Sequence, residues 1–414
     1  MRELILFLIQ IIAFSSARVH LSTTEIPLNK NQESNEGCTI NINKDLVEPQ
    51  PLFIVPKTSS FWYPNENSGL IEIPSGQQIE LFCADTFENT DSFQRKRQLL
   101  PTCVQGKTYQ LKGEKYQLDE FTCKSHSRYY VKRTNTTCAE DSLLAQVGFN
   151  VTNGRFLKTM EICHNEKRQM THYSHYQLYP TSYNYQKSTG RIGFSKTGFY
   201  KGKDVNHLYT MNQQKKVFGK LLNDSYDNFF SKKQFLSRGH LSAKSDHIFG
   251  SQQRTTFTFI NAAPQWQGFN DGTWNTIENE VKRFVSKKKL TVDCYTGAWG
   301  VSSLPDVNGT MKELFLSVNG TNKQIPVPKL FYKIVIDVES NNGVALVGVN
   351  NPHLTQAQLK EDYIICDDVS EEISWMKMKR NNIAKGFYYA CEVQDFLSND
   401  DMPKMNLTVN RLLV

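Results

Sequence analysis

The first third of the chain alternates short apolar runs with turn signals, a pattern typical of half-buried β-strands. Apolar and polar positions alternate from Leu70 to Ile73 and again from Ile79 to Phe82, with a Ser75-Gly76 turn between them. No long run at helical spacing interrupts this pattern. The sequence therefore predicts a small β-rich domain over residues 37–165.

From residue 166 onwards the pattern mixes strands with helices. The runs FYKIVIDV and GVALVGV predict a hairpin over residues 331–349, and alternating Thr and Phe predict a strand from Thr255 to Ile260. One apolar stripe at helical spacing predicts a helix, and its residues are Trp274, Ile277, Val281, Phe284 and Val285. These elements predict an α+β domain over residues 166–414.

A tyrosine-rich stretch, THYSHYQLYPTSYNYQ, occupies residues 171–186. Its aromatic rings suit either a strand packed on the core or a surface that stacks on nucleic-acid bases. Aromatic residues are common in strands, so we favour the core strand.

The first residues carry the signals of an export leader. An apolar run from Leu4 to Phe14 is followed by Ser15 and Ala17 at the spacing of a cleavage site. The run is too short to cross a bilayer, so residues 1–17 are predicted to be a signal peptide and not a membrane anchor. Residues 18–36 are polar without periodicity and predict a flexible arm. No later stretch approaches a membrane span, so we expect a secreted protein with no membrane partner.

Glycosylation acceptors and cysteines agree with export. The Asn-x-Ser/Thr acceptors are Asn135, Asn150, Asn223, Asn308, Asn319 and Asn406. Nine cysteines without a Cys-x-x-Cys pair predict disulfides and not a zinc site.

The cysteines fall into an early group of six and a late group of three. Six cysteines allow fifteen pairings, among which the sequence does not choose; they are Cys38, Cys83, Cys103, Cys123, Cys138 and Cys163. For the late group we favour a bridge between Cys366 and Cys391, with Cys294 as a buried free thiol on a strand. An intermolecular bridge through Cys294 is the alternative.

The net charge of +7 is modest for 414 residues. It permits a polyanionic partner without requiring one, and composition by itself identifies no function. The sequence predicts neither a protein partner nor an oligomeric state.

Three polar motifs follow one another in a fixed order. They are Ser237-Arg238-Gly239-His240, then Asn261-Ala262-Ala263-Pro264-Gln265, then Asn270-Asp271-Gly272-Thr273-Trp274 with Glu278 four residues later. In residue types and spacing these motifs resemble the DNA/RNA non-specific endonucleases of the ββα-metal superfamily, specifically the secreted arthropod nucleases. The resemblance covers nearly the whole mature chain. It implies a ββα-metal nuclease domain preceded by a small disulfide-rich β domain.

The chemistry of phosphodiester hydrolysis fits these residue types. Histidine has an unperturbed pKa near 6.5, so His240 suits the removal of a proton from water. Asn270 offers one neutral oxygen, which would leave a Mg²⁺ ion, or Mn²⁺ as the substitute, most of its waters. Such an ion polarises a phosphoryl oxygen. Glu278 lies about 12 Å further along a continuous helix, so we assign it to a metal-bound water or to a basic neighbour.

The resemblance supplies further roles. It implies that Arg238 contacts phosphate and that Arg191, in STGRIGFSKTG, matches an upstream family arginine that stabilises the transition state. Asn261 and Gln265 are assigned to substrate binding or support of the site. The alternative for both is a loop that hydrogen-bonds its own backbone.

Some positions depart from the family pattern or carry no clear task. Ser237 stands where many members have aspartate, and we expect this change to tune activity and not to abolish it. His247 is predicted to have no chemical role, because a zinc pair with His240 would need two more ligands. The basic run Lys282-Arg283 with residues 287–289 predicts a solvated helix end, with guidance of a nucleic-acid backbone as the competing hypothesis.

The sequence therefore predicts a secreted, metal-dependent endonuclease acting on DNA and RNA with little sequence preference. The resemblance implies products with 5′-phosphate and 3′-hydroxyl ends. The alternative is a secreted nucleic-acid-binding protein of nuclease descent with weak or no catalysis.

Overall fold

The structure is a computed structural model that describes residues 36–88, 93, 96–139, 141–223, 225–378, 382–399 and 402–414. The predicted signal peptide and all but the last residue of the predicted arm lie outside these residues. Within the described ranges, no helix combines the length and apolar character needed to cross a bilayer.

The described strands and helices are as follows, in chain order. The strands are β1 Cys38–Ile40, β2 Leu52–Ile54, β3 Ile71–Ile73, β4 Glu80–Phe82, β5 Gln98–Leu99, β6 Thr102–Gln105, β7 Thr108–Leu111, β8 Glu114–Gln117, β9 Tyr130–Ala139, β10 Ser142–Asn150, β11 Phe156–Asn165, β12 Met170–Leu178, β13 Leu236–His240, β14 Ala262–Trp266, β15 Val292–Trp299, β16 Ser303–Pro305, β17 Met311–Glu313, β18 Phe315–Asn319, β19 Asn322–Pro326, β20 Leu330–Asp337, β21 Gly343–Val349 and β22 Tyr388–Cys391. The helices are α1 Val205–Leu208, α2 Met211–Leu221, α3 Gly250–Thr255, α4 Gln267–Phe269, α5 Asn275–Lys288, α6 Gln356–Asp362 and α7 Val393–Leu397.

An antiparallel sheet organises the larger domain. In the described residues its strand order is β22-β21-β20-β15-β12-β11-β10-β9. Strand β20 shows why the sheet is covered on both faces: Phe331 and Val335 pack with helix α5, whereas Tyr332 and Ile334 pack with α6 and α7 on the other face. All eight residues of β20 are buried, including Lys333, which faces the α5 side. The sheet thus places one charged side chain beneath helix α5.

The smaller domain is β-rich, as predicted. It contains the short sheets β1-β3, β2-β4-β5 and β6-β7-β8, and the disulfides Cys38–Cys103 and Cys83–Cys123 cross-link it. The remaining early disulfide, Cys138–Cys163, joins β9 to β11 in the central sheet.

The predicted domain boundary at residue 165 falls between β11 and β12, which pair with each other in the central sheet. Alternation indicates which face of a strand is buried, but it does not indicate which sheet the strand joins. We therefore propose that the small domain ends near residue 129, just before β9.

Several sequence predictions are confirmed. The disulfide Cys366–Cys391 is present, and Cys294 is a buried free thiol on β15. Strands β20 and β21 form the predicted antiparallel hairpin. All five residues of the apolar stripe are buried; Trp274 lies in the turn just before α5, and the other four lie on α5. The tyrosine-rich stretch begins as the core strand β12, between β11 and β15.

The predicted strand from Thr255 to Ile260 is wrong. The chain leaves helix α3 at Thr255 and forms a 3₁₀ turn at Phe259–Asn261, and the strand that pairs with β13 is β14. The Thr256 hydroxyl donates to the Gln253 carbonyl (2.8 Å), which holds a turn where alternation suggested an extended strand. All the threonine and phenylalanine side chains of this stretch are buried, so the alternation did not mark one exposed and one buried face.

Candidate active site

The first two motifs lie opposite each other in the β13–β14 hairpin. Ser237 is paired with Gln265, and His240 with Ala262. A Cβ atom added to Gly239 would lie 2.2 Å from Oε1 of Gln265, so only glycine leaves room for that buried amide. The hairpin therefore explains why the Arg-Gly-His sequence and the glutamine of the second motif occur together.

The third motif forms a helical bulge. Asn270 lies within a helical stretch: α4 continues into a π-helical turn at Asn270–Trp274 and then into α5. Wide turns of this kind often occur at functional sites. A Cβ atom at Gly272 would lie 2.7 Å from the Lys385 carbonyl, so this glycine permits close packing of residues 382–386 and does not mark a loop. The Thr273 hydroxyl fixes the same contact by donating to the Gly386 carbonyl (2.7 Å).

Four predicted site residues from separate segments line one pocket of about 300 Å³. His240 comes from the end of β13, Asn270 from the π-helical turn, Glu278 from α5, and Arg191 from the loop after β12. The other lining residues are Tyr185, Ala243, Lys244, Ser245, Asp271 and Asn275. The ββα arrangement of β13, β14 and α5 thus brings His240, Asn270 and Glu278 together, and the loop after β12 adds Arg191.

His240 lies against two aromatic rings at the edge of this pocket. Its imidazole centroid is 4.9 Å from that of Phe194 and 5.0 Å from that of Phe257. Burial lowers the pKa of His240 to about 3, and the nearby positive charge of Arg191 acts in the same direction. The imidazole is therefore neutral near pH 7, with a lone pair available to accept a proton. Within the described residues, its Nε2 has no hydrogen-bond partner.

Asn270 is oriented by Ser237. The Asn270 amide nitrogen donates to the Ser237 hydroxyl (3.2 Å), which in turn donates to the Gln265 carbonyl (3.0 Å). Because the nitrogen side of the amide is engaged, Oδ1 is the atom left to serve as an oxygen ligand. The Ser237 hydroxyl thus orients the Asn270 amide, and this role does not require the aspartate that many family members have at this position.

The donor set fits a hydrated hard cation. Across the described ranges, no group of three or more His, Cys, Asp or Glu side chains is arranged to hold a metal ion. Asn270 is the residue that would hold an ion in this pocket, with water and substrate oxygens completing its shell, as Mg²⁺ tolerates. The carboxylates of Asp271 and Glu278 line the same pocket and suit contacts to metal-bound water.

Glu278 has an unusual protonation equilibrium. Burial raises the pKa of its carboxyl group to about 7, and the negative charge of Asp246 adds to this effect. The ammonium groups of Lys282 and Lys333 oppose the rise. Glu278 therefore changes its charge near neutral pH.

Behind the pocket lies a buried group of charges formed by Asp246, Lys282 and Lys333, here called the sealed cluster. Lys333 Nζ lies 3.0 Å and Lys282 Nζ 3.4 Å from the Asp246 carboxylate, and the Tyr176 hydroxyl donates to it (2.5 Å). Burial alone would raise the pKa of Asp246, but the two ammonium groups lower it to about 2. The prediction that Lys282 belongs to a solvated helix end is therefore wrong, because its side chain is buried and ion-paired.

The remaining predicted residues lie outside the pocket lining. Arg238 donates to the backbone carbonyl (3.3 Å) and side-chain oxygen (3.2 Å) of Asn206, so its phosphate contact stays a prediction. Asn261 is fully buried and bonds the backbone of Ser242 and Thr256, which matches the alternative of a self-bonding loop. His247 is buried and bonds the Ser242 hydroxyl (2.7 Å).

Comparison with known proteins decides the family. The profile of the DNA/RNA non-specific endonucleases matches residues 140–396, which is more than half of the chain. The chain belongs to the DNA/RNA non-specific endonuclease family. The match begins within the β9–β10 hairpin, so the profile includes strands that the sequence had assigned to the small domain.

Relatives of this endonuclease-family chain come from the saliva of flies. It is 24% identical to the salivary endonuclease of Lutzomyia longipalpis over 89% of this chain and 84% of that protein. It is 26% identical to salivary protein Tsal2A of Glossina morsitans morsitans, over 87% of this chain and 90% of the relative. A chain in a solved structure of the EndoG/EndoGI complex matches 57% of this chain and 89% of its own length at 20% identity, with a TM-score of 0.31.

The family is generally metal-dependent and acts on nucleic acids, so the comparisons support a nuclease. In this family member, the structure adds Lys244, Ser245 and Tyr185 to the residues around the pocket. Sequence reasoning missed them because none belongs to the three motifs. The mostly polar run Ser242 to Asp246, which begins two positions after His240, was the available signal for the first two.

Proposed function

We propose that this protein is a secreted endonuclease that hydrolyses DNA and RNA with little sequence preference. In this proposal His240 is the general base, and one hydrated Mg²⁺, or Mn²⁺ in its place, is held by Asn270. The observation that carries the proposal is the single pocket lined by His240, Asn270, Glu278 and Arg191.

His240 accepts the proton of the attacking water. Its imidazole is neutral near pH 7, because burial lowers the pKa of this group, and its Nε2 has no hydrogen-bond partner among the described residues. The rings of Phe194 and Phe257 restrict its rotation, so the proton acceptor keeps one position. General-base catalysis of this kind contributes about 10²–10⁴ in rate.

The other pocket residues orient the reacting groups and balance their charge. When bound, the cation would polarise a phosphoryl oxygen and stabilise charge on the leaving 3′ oxygen. Ser237 holds the Asn270 amide, and Glu278 in its ionised form accepts hydrogen bonds from water in the pocket. Arg191 places a guanidinium beside the phosphate. The products carry 5′-phosphate and 3′-hydroxyl ends.

Low sequence preference follows from the chemistry of these contacts. Phosphate groups and sugar oxygens are the same at every nucleotide and carry no base code. Arg191 and Lys244 in the pocket suit such backbone contacts.

Secretion is supported by three observations. The structure contains four disulfides within the described residues, which suit an oxidising compartment. All six acceptor asparagines are exposed. The relatives are named as salivary proteins.

The decisive experiment measures cleavage of plasmid DNA and of a duplex RNA with Mg²⁺, with and without a chelator. Wild-type protein should cut both, and chelator or His240→Ala should abolish cutting. His126→Ala is the matched control, since His126 is an exposed histidine outside the pocket. Tight binding without chelator-sensitive cutting would favour the alternative, a nucleic-acid-binding protein of nuclease descent.

A further inference from the structure

We propose that the small β domain completes the substrate site by holding Tyr185 at the rim of the pocket, where its ring stacks on an unpaired base. This inference rests on the proposed function and names a substrate class, nucleic acid with single-stranded or frayed segments. The segment concerned, residues 184–187, is called the rim segment below.

Asn43 of the small domain bonds the rim segment on both sides of Tyr185. Its side-chain nitrogen lies 3.2 Å from the Asn184 carbonyl and 3.3 Å from the Tyr185 carbonyl. Its side-chain oxygen accepts from the Lys187 amide (2.9 Å). One exposed side chain from the small domain thus fixes the backbone that carries Tyr185.

A buried pair of glutamines makes the second connection. The side chains of Gln50, from the small domain, and Gln186, from the rim segment, exchange two hydrogen bonds of 2.9 and 3.1 Å. Gln186 also accepts from the amide of Gly250 (2.8 Å), and its backbone bonds Ile248 and Gln253. The rim segment is therefore held between the two domains; Asn184 ends a 3₁₀ turn, and residues 185–187 belong to no strand or helix.

The ring of Tyr185 lies in the pocket to which the proposed function assigns the scissile phosphate. It lines the same pocket as His240 and Asn270, and the Lys282 ammonium lies 5.6 Å from its centroid. An aromatic face accepts any base, because every base has a π-face, so such a contact keeps sequence preference low. A base paired within a duplex is already stacked and cannot use this ring without unpairing. The geometry therefore favours unpaired nucleotides next to the scissile phosphate.

The test measures binding without cleavage, so that it does not depend on turnover. All variants carry His240→Ala and are titrated in chelator against a fluorescent single-stranded oligonucleotide and its duplex. Tyr185→Leu should weaken single-strand binding about 5- to 100-fold, the effect of losing one aromatic–base stack, and duplex binding less than about threefold. Tyr185→Phe should keep single-strand binding within about twofold. Tyr130→Leu is the matched control, since Tyr130 is 45% exposed on the edge strand β9.

The role of the small domain is tested with Asn43→Ala. This variant should weaken single-strand binding about 3- to 10-fold, and the effect should vanish when Tyr185 is already leucine, because both changes act on one ring. Tyr63→Phe is the control for a lost inter-domain hydrogen bond elsewhere, since the Tyr63 hydroxyl accepts from Gln252 (2.9 Å). Thermal melting of each variant checks that the fold is retained.

The outcomes separate the two proposals. Single-strand binding that is insensitive to Tyr185→Leu, or an Asn43→Ala effect equal to that of Tyr63→Phe, would overturn this inference and leave the proposed hydrolysis standing. If binding by the variants follows the expected pattern but the wild-type protein cuts no nucleic acid, the proposed hydrolysis is overturned and the proposed role of Tyr185 is supported. A wild-type protein that neither binds nor cuts nucleic acid would overturn both.

Discussion

The pocket and the sealed cluster are two charged regions that share the segment following His240, yet they use charge in opposite ways. In the pocket, Arg191, Lys244 and Glu278 surround open space. In the sealed cluster, Asp246 lies between the ammonium groups of Lys282 and Lys333, with its carboxylate buried. Asp246 lies six positions after His240, so one short segment supplies both regions.

This difference indicates which charges are available to a ligand and which hold the site together. Asp246 links the segment after His240 to helix α5 through Lys282 and to the central sheet through Lys333. The pair of contacts fixes the position of α5, and with it Glu278, relative to His240. The sealed cluster therefore determines the geometry of the pocket without facing the substrate.

The largest expected effect on stability comes from Asp246→Ala. Removing this carboxylate leaves two buried ammonium groups without their partner, and the free energy of unfolding should fall by about 3–5 kcal/mol. Arg191→Ala, at an exposed pocket position, should change it by less than about 1 kcal/mol. Urea unfolding measures both, and equal losses in the two variants would contradict the distinction between pocket and cluster.

A smaller effect is expected from Ser237→Ala. Without the hydroxyl, the Asn270 amide loses the partner of its nitrogen, and the Mg²⁺ concentration for half-maximal activity should rise about 10- to 100-fold. Ser237→Thr keeps a hydroxyl and should stay within about threefold of wild type. Mg²⁺ titrations of the initial cleavage rate measure the change. An unchanged Mg²⁺ requirement in Ser237→Ala would show that this hydroxyl does not orient the ligand.

The smallest expected effect concerns pH. Because burial raises the pKa of Glu278 to about 7, its carboxylate form increases as the pH rises through that value. At limiting Mg²⁺, activity should rise by up to about tenfold between pH 6 and 8, and saturating Mg²⁺ should move the midpoint to lower pH by favouring the carboxylate. Glu278→Gln should lose this dependence, and its persistence in that variant would assign the titration to another group.

The raised pKa of Glu278 affects stability in the direction opposite to its effect on activity. Between the ordinary value of 4.5 and about 7, the folded protein holds a proton on Glu278 that the unfolded chain releases. The contribution of this group to stability therefore falls as the pH rises through that window. As the pH rises, ionisation of Glu278 should therefore increase activity and decrease stability.

The three motifs carried a resemblance that predicted the family, the ββα fold and, with Arg191, the four residues that meet in the pocket, although the strand that pairs with β13 is β14 and not Thr255–Ile260. His240, Asn270 and Glu278 lie within 39 residues of sequence, so their order and spacing along the chain carry much of the spatial information. The stripe on α5 and the bridge Cys366–Cys391 were predictable for the same reason, since each depends on local spacing.

Interactions between distant segments were not predictable from pattern. In the sequence, Lys282 belongs to a basic run on helix α5. Its partner Asp246 lies 36 positions away, and Lys333 lies on another element. Likewise, Gly272 permits close packing against residues 382–386, which lie more than 100 positions away in the sequence. The task of the small domain depends on Asn43 and residues 184–187, more than 140 positions apart, which no local pattern reveals.

The central claim is that His240 and Asn270 act together on one phosphodiester in one pocket. Single-turnover cleavage of an end-labelled oligonucleotide by wild type, His240→Ala, Asn270→Ala and the double variant tests it most directly. Each single change should slow cleavage by about 10²–10⁴, and the double variant should be about as slow as the worse single variant, because groups that act as a unit are not additive. Rate losses that multiply in the double variant, or single variants that cut at the wild-type rate, would contradict the account.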